Sequence, residues 1–133
     1  MEIDEKIKYW QELSDYDLET AEAMQITKRF LYVGFMCHLV IGKILKAFYV
    51  LTKESTPPHT HNLTILAKDS GLFPELSDAQ NDFLELLNPL NIETRYPSYK
   101  DKLQKTLSEE TCSKILTQTK EFQQWIKRKL SKK

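Results

Sequence analysis

Only three glycines and five prolines punctuate the 133 residues of the chain, and strict alternation of apolar and polar residues is nowhere sustained. Both shortages weigh against a β-rich fold, which needs period-two strands and frequent turn residues, and leave helices as the default. Cysteine is nearly absent too. Cys37 and Cys112 stand far apart with no CxxC spacing, which argues against a disulfide framework and a structural zinc site and fits a cytoplasmic protein. Net charge is missing, since nineteen Lys and Arg balance nineteen Asp and Glu. No global field therefore argues for wrapping nucleic acid or coating a membrane. The longest uncharged run, Phe30 to Gly42, has thirteen residues where a membrane span needs about 20, and no basic-then-apolar leader opens the sequence. A single soluble domain over residues 1–133 is expected, long enough to bury one core and too short for two.

What is present is helical periodicity. From Ile3 to about Thr27, the residues Ile7, Trp10, Leu13, Ala21 and Met24 recur at three- and four-residue steps with acids between them, which predicts a long amphipathic helix. The next segment, FLYVGFMCHLVIGKILKAFYVLTK, is apolar nearly all round until Lys43 and Lys46, the mark of a helix surrounded by others. Pro57 and Pro58 must break it. Asn62 is then a candidate N-cap for LTILAKDS, with Gly71 as its left-handed stop. Ser77 or Asp78 opens DAQNDFLELLNPL, whose predicted stripe is Phe83, Leu86, Leu87 and Leu90 and which Pro89 kinks or ends. The stretch NIETRYPSYKDKLQKTL is the least periodic. Ser108, followed by Glu109 and Glu110, opens a last helix with Ile115, Thr119, Phe122, Ile126 and Leu130 on one face. The fold expected is all-α, an up-and-down bundle of four to five helices with a short basic tail at 127–133. Charge is unevenly placed within it: residues 1–24 hold eight acids against two bases, and residues 111–133 hold seven bases against one acid. Solvated faces, side-by-side packing of the two segments, or a free basic tail for an acidic partner would each suit that asymmetry.

Few residues offer chemistry. In TPPHTHNLTIL, His59 and His61 form an HxH pair, but zinc needs further ligands and Asp69 is the only acid nearby; the stretch reads as a hinge and helix start. His38 lies in the apolar central segment and reads as a satisfied core imidazole. No serine or cysteine sits in a nucleophile elbow and no glycine-rich phosphate loop exists, so ordinary hydrolase and nucleoside-triphosphatase readings fall away. Neither a catalytic residue nor a metal or cofactor site is expected. Two features remain. Lys43 and Lys46 project from one side of the greasy helix and must reach solvent or a negative group. Arg95-Tyr96-Pro97-Ser98-Tyr99-Lys100 sets a guanidinium beside two phenol rings, types that grip phosphate and stack on bases, although they also suit an ordinary packing loop.

The opening YWQELSDYDLETAEAM, the aromatic start of RFLYVGFMCHLVIGKILKAFYV, the proline loop with HNLTIL, and RYPSY together resemble the HEPN domain family in its minimal, nucleotidyltransferase-associated form. The resemblance covers nearly the whole chain and implies a helical bundle, usually dimeric, that pairs with a small nucleotidyltransferase, often as a toxin–antitoxin couple, with a nucleotide- or substrate-binding role. It lands on Lys46 in GKILKA, on His61 and Leu63 in HNL, and on Arg95, Tyr96 and Pro97 in RYP; with Tyr99 and Lys43 these make the candidate ligand-binding set. Family members often carry a glutamate where this chain has Gly42. Ribonuclease members carry an arginine followed after four to six residues by a histidine. Here Arg95 is followed at those distances by Lys100, Asp101 and Lys102, so the acid–base role has no occupant. The leading expectation is a non-catalytic, dimeric binding module that meets a nucleotide, an RNA or a small nucleotidyltransferase and no membrane. A divergent metal-independent ribonuclease using Arg95 with His61 or His38, and a purely structural dimerisation domain, are the alternatives.

Overall fold

Ile7, Trp10, Ser14, Asp17, Ala21 and Met24 fall at alternating steps of three and four along the first helix, α1 (Ile3–Ile26), and such a seam must face a neighbour. Asp4 and Glu5 occupy its first turn, where the helix dipole favours negative charge. The computed structural model describes residues 2–93 and 106–131. After a turn in which Lys28 takes a φ of 62°, α2 (Phe30–Lys53) returns antiparallel to α1. Ser14 Oγ donates to the Val40 carbonyl at 2.8 Å, and Lys46 Nζ lies over the Trp10 ring. Twelve of the 24 residues of α2 are buried, which makes it the core helix expected from its composition. It is also long and apolar enough to cross a membrane by length and composition alone, yet 61% of its apolar window is buried inside the bundle.

Glu54 caps α2 in the left-handed region at φ 50°, and the proline segment then runs back along α2 instead of onward. The His61 carbonyl consequently meets His38. From there α3 (Leu63–Asp69) runs in the same direction as α2, since Leu63 lies beside Gly42 while the Ser70 carbonyl accepts from Thr52 Oγ1 at 2.8 Å. Gly71, at φ 84°, supplies the left-handed stop. A 3-10 turn (Phe73–Glu75) leads to α4 (Asp78–Leu87), opened by Ser77 in a reciprocal capping box with Gln80. Pro89 separates α4 from the single turn of α5 (Leu90–Glu93). The last helix, α6 (Glu109–Leu130), is capped by Ser108, whose hydroxyl accepts from Thr111 N–H. It runs parallel to α2 and antiparallel to α1: Cys112 meets Phe30, whereas Glu22 meets Lys120 and Asp15 meets Lys127. The long legs thus go up in α1, down in α2, up in α4 and α5 and down in α6, with α3 packed alongside. All regular structure among the described residues is helical.

Two expectations change in detail. The inward arc of α4 is Phe83, Leu84 and Leu87, while Leu86 is 47% exposed, because the arc is centred about one residue step from the predicted stripe. The oppositely charged first and last segments do pack side by side: Lys127 Nζ is 2.6 Å from Asp15 Oδ1 and Lys120 Nζ is 3.3 Å from Glu22 Oε2. Residues 127–130 continue α6 as its last turn.

Glycine allows close packing at one position. A Cβ on Gly34 would lie 3.1 Å from Leu90 Cδ1 and 3.2 Å from Leu107 Cδ1, so a larger residue would press both leucines back by a few tenths of an ångström. The α3 start is held in a different way, by the Asn62 side chain accepting from Ile65 N–H at 3.1 Å and by Asn88 Oδ1 accepting from Leu63 N–H at 2.8 Å. Asn88 also donates to Thr64 Oγ1 at 3.1 Å. Its removal leaves a part-buried donor unmet, so Asn88→Ala should lower the unfolding free energy by about 1–2 kcal/mol. Asn62→Ala, the loss of one exposed cap, should cost about 1 kcal/mol. Urea unfolding of the two variants checks the order.

Candidate functional site

Of the six candidate ligand residues, three are described. Lys43 is tied to α1, with its ammonium 2.5 Å from Asp17 Oδ2, and Asp17 is only 6% exposed. A carboxylate this buried demands a cation, and breaking the pair costs more than the pair contributes. Lys46, one helical turn along, lies 5.2 Å from the centroid of Trp10, a cation–π contact. Burial, and then the charge of Lys43, lower its pKa. His61 is exposed and acts through its main chain, as the acceptor of the His38 Nε2 proton at 2.8 Å. A carbonyl can only accept, so this bond fixes the tautomer with hydrogen on Nε2. The α3 start is therefore secured by the His61 carbonyl, Asn62 and Asn88, not by the His61 imidazole.

Arg95, Tyr96 and Tyr99 lie outside the described residues. The chain on either side, at Leu90 and Leu107, is anchored at Gly34, twelve residues before Lys46 and so about 18 Å along the helix axis. His38 and His61 are brought together, with ring centroids 6.4 Å apart; His38 is buried and His59 and His61 are exposed. No group of three or more metal-binding side chains occurs among the described residues.

The residues that sequence reasoning passed over lie around Lys46. On α2, Tyr32, Phe35, Leu39, Gly42, Lys46 and Tyr49 recur at steps of three and four on the arc between the α1 and α3 contacts, all of them half-buried except Tyr32, which is 50% exposed. α1 borders this arc through Trp10 at Lys46, and α3 borders it through Leu63 at Gly42. Beside it on α1 stand Tyr9 and Trp10, edge to face at 5.4 Å, and Leu13. The tyrosines Tyr32 and Tyr49 in an otherwise apolar helix were the available clue.

The thiols are inert. Burial pushes Cys37 up to about 12 and Cys112 up to about 11. Phe30 meets Cys112 and Cys37 meets Thr119, and both cysteines are free.

A buried central helix ringed by shorter and longer partners defines an all-α bundle. A model of the HEPN domain matches residues 7–130, and the chain belongs to the HEPN domain family. A solved structure, TT1696 from Thermus thermophilus, superposes with a TM-score of 0.79 over 93% of this chain and 98% of that one at 16% identity; that likeness is one of fold. Among curated proteins none matches the chain.

The thiol environment gives a test with a definite sign. A thiol whose folded pKa is raised contributes stability that is full below its ordinary value of 9.0 and is lost as pH climbs toward about 12. Cys37→Ala should therefore lose stability less steeply than wild type across that window, by up to about 1.4 kcal/mol per pH unit. The native protein should also leave an aromatic disulfide reagent unreacted near neutral pH and react fully once unfolded.

Proposed function

We propose that the chain is a non-catalytic HEPN binding module, a homodimer that serves a small nucleotidyltransferase as its nucleotide- or substrate-binding partner in a toxin–antitoxin-like pair. The observation that carries this reading is the α1–α2 face, where Lys46, partly desolvated over Trp10, stands in a surface of Tyr9, Leu13, Tyr32, Leu39 and Tyr49. Tyr9 and Tyr32 are exposed on this face, exposed aromatic surface of this kind suits an interaction site, and aromatic rings with a cation recognise surfaces or ligands without reacting with them. The second copy takes the apolar stripe, and an anionic ligand, nucleotide or RNA, is held at Lys46 near the His61–Leu63 entry. The His38 imidazole, buried with Nε2 already donating to a carbonyl, is poorly placed for acid–base chemistry.

Sedimentation of the purified protein should give a dimer, and Tyr32→Glu, which alters an exposed position, should give a monomer of unchanged helicity. Co-expression with a small nucleotidyltransferase should recover a stable complex. Lys46→Ala should weaken nucleotide binding about tenfold, the loss of roughly 1.4 kcal/mol. A protein that stays monomeric at about 100 μM and binds neither transferase nor nucleotide would refute the reading.

A further inference from the structure

A second surface lies on another side of the bundle, between α4 and α6. The two helices meet through Phe83 and Phe122, with centroids 6.3 Å apart, and Trp125 stands edge-on to Phe122 at 5.7 Å. Above these rings opens a groove with a volume of about 280 Å³. Lys129 is held over the Trp125 ring at 4.6 Å and bound to Glu75 at 2.6 Å, so the aromatic floor is clamped from the end of α6. Glu121 and Arg128 both line the groove and are exposed, and among the described residues neither has an ion-pair partner. They stand seven residues apart on one face of α6, two turns and about 10 Å, with Trp125 between them.

We infer that this groove receives one face of an amphipathic helix from a partner protein, carrying a large apolar anchor with a base on one side of it and an acid about two turns away on the other. Two features favour this occupant. The cavity is at the small end for a whole ligand and of the size for an anchor side chain, and anchors in pockets dominate helix-in-groove binding. The rim offers one free carboxylate and one free guanidinium at helical spacing, so a partner helix with lysine opposite Glu121 and glutamate opposite Arg128 pairs both in a single register. The groove shares no residue with the α1–α2 face, and the inference stands whether or not that face binds a dimer partner or a nucleotide.

The test uses the full chain with Trp10→Phe, which leaves Trp125 as the sole indole. The probes are synthetic helical peptides with lysine, a central phenylalanine and, seven positions after the lysine, glutamate. Saturable one-to-one quenching of Trp125 is expected, at least tenfold weaker when the phenylalanine is replaced by alanine. Arg128→Glu should weaken binding a few-fold, as a rim pair does, and a peptide with lysine in place of its glutamate should restore it. Circular dichroism establishes that each variant is folded. No saturable signal up to about 1 mM, an alanine peptide that binds equally, or a charge swap without rescue would overturn the inference. So would self-association of the chain that Arg128→Glu abolishes, because the occupant would then be a second copy.

Discussion

Enclosure of α2 on three sides is the constraint from which the other features follow. Val33, Cys37, Val40, Ile41, Ile44, Leu45, Ala47 and Val50 have no solvent exposure, and each large aliphatic among them is worth about 1.5–3 kcal/mol on leaving water. One helix cannot be surrounded by α1, α6 and the α3–α5 leg unless the chain leaves it, doubles back and returns. The proline segment does this, and Gly34 lets the return close tightly at one end. The same geometry forces the fourth arc of α2, from Tyr32 to Tyr49, outward.

Polar groups fix how the legs meet. Ser14 Oγ donates to the Val40 carbonyl and accepts from Gln123 Nε2 at 3.0 Å, while Gln123 also donates to Asp15 Oδ1 at 3.0 Å, which in turn pairs with Lys127. One serine, with no exposure, thereby links α1, α2 and α6. Apolar packing tolerates sliding, whereas a buried donor and acceptor are satisfied in one register, and leaving either unmet costs about 1–3 kcal/mol. Lys43 and Asp17 act alike between α1 and α2. These polar contacts between α1 and its neighbours thus set which side chains border the exposed arc, Lys46 and Trp10 among them.

The helices were legible because their cues are local. FLYVGFMCHLVIGKILKAFYVLTK coincides with α2, and Asn62, Ser77 and Ser108 cap as their side chains require, since a cap needs only the next three residues. The partners of Ser14 and Asp17 were not legible. Both sit in the core phase of α1, between Trp10 and Ala21, where the pattern expects aliphatics, and the groups that satisfy them come from Val40, Lys43 and Gln123, far along the chain. Leu86 was misplaced because leucines at neighbouring positions leave the centre of a short helical arc undetermined. The candidate site was partly legible: Lys46 was singled out, but its aromatic support, Trp10, depends on how two helices cross. Arg95, Tyr96 and Tyr99 lie outside the described residues.

Among the described residues the two thiols and His38 are buried, and the contact role proposed for the outward arc of α2 is open to direct test. Hydroxyl-radical footprinting of the tyrosines, on dilute and on concentrated protein, tests that role most directly. If the outward arc of α2 is the contact surface, Tyr32 and Tyr49 become protected as concentration rises while Trp125, in the α4–α6 groove, stays equally reactive. Equal oxidation of Tyr32 and Tyr49 at every concentration would contradict the account.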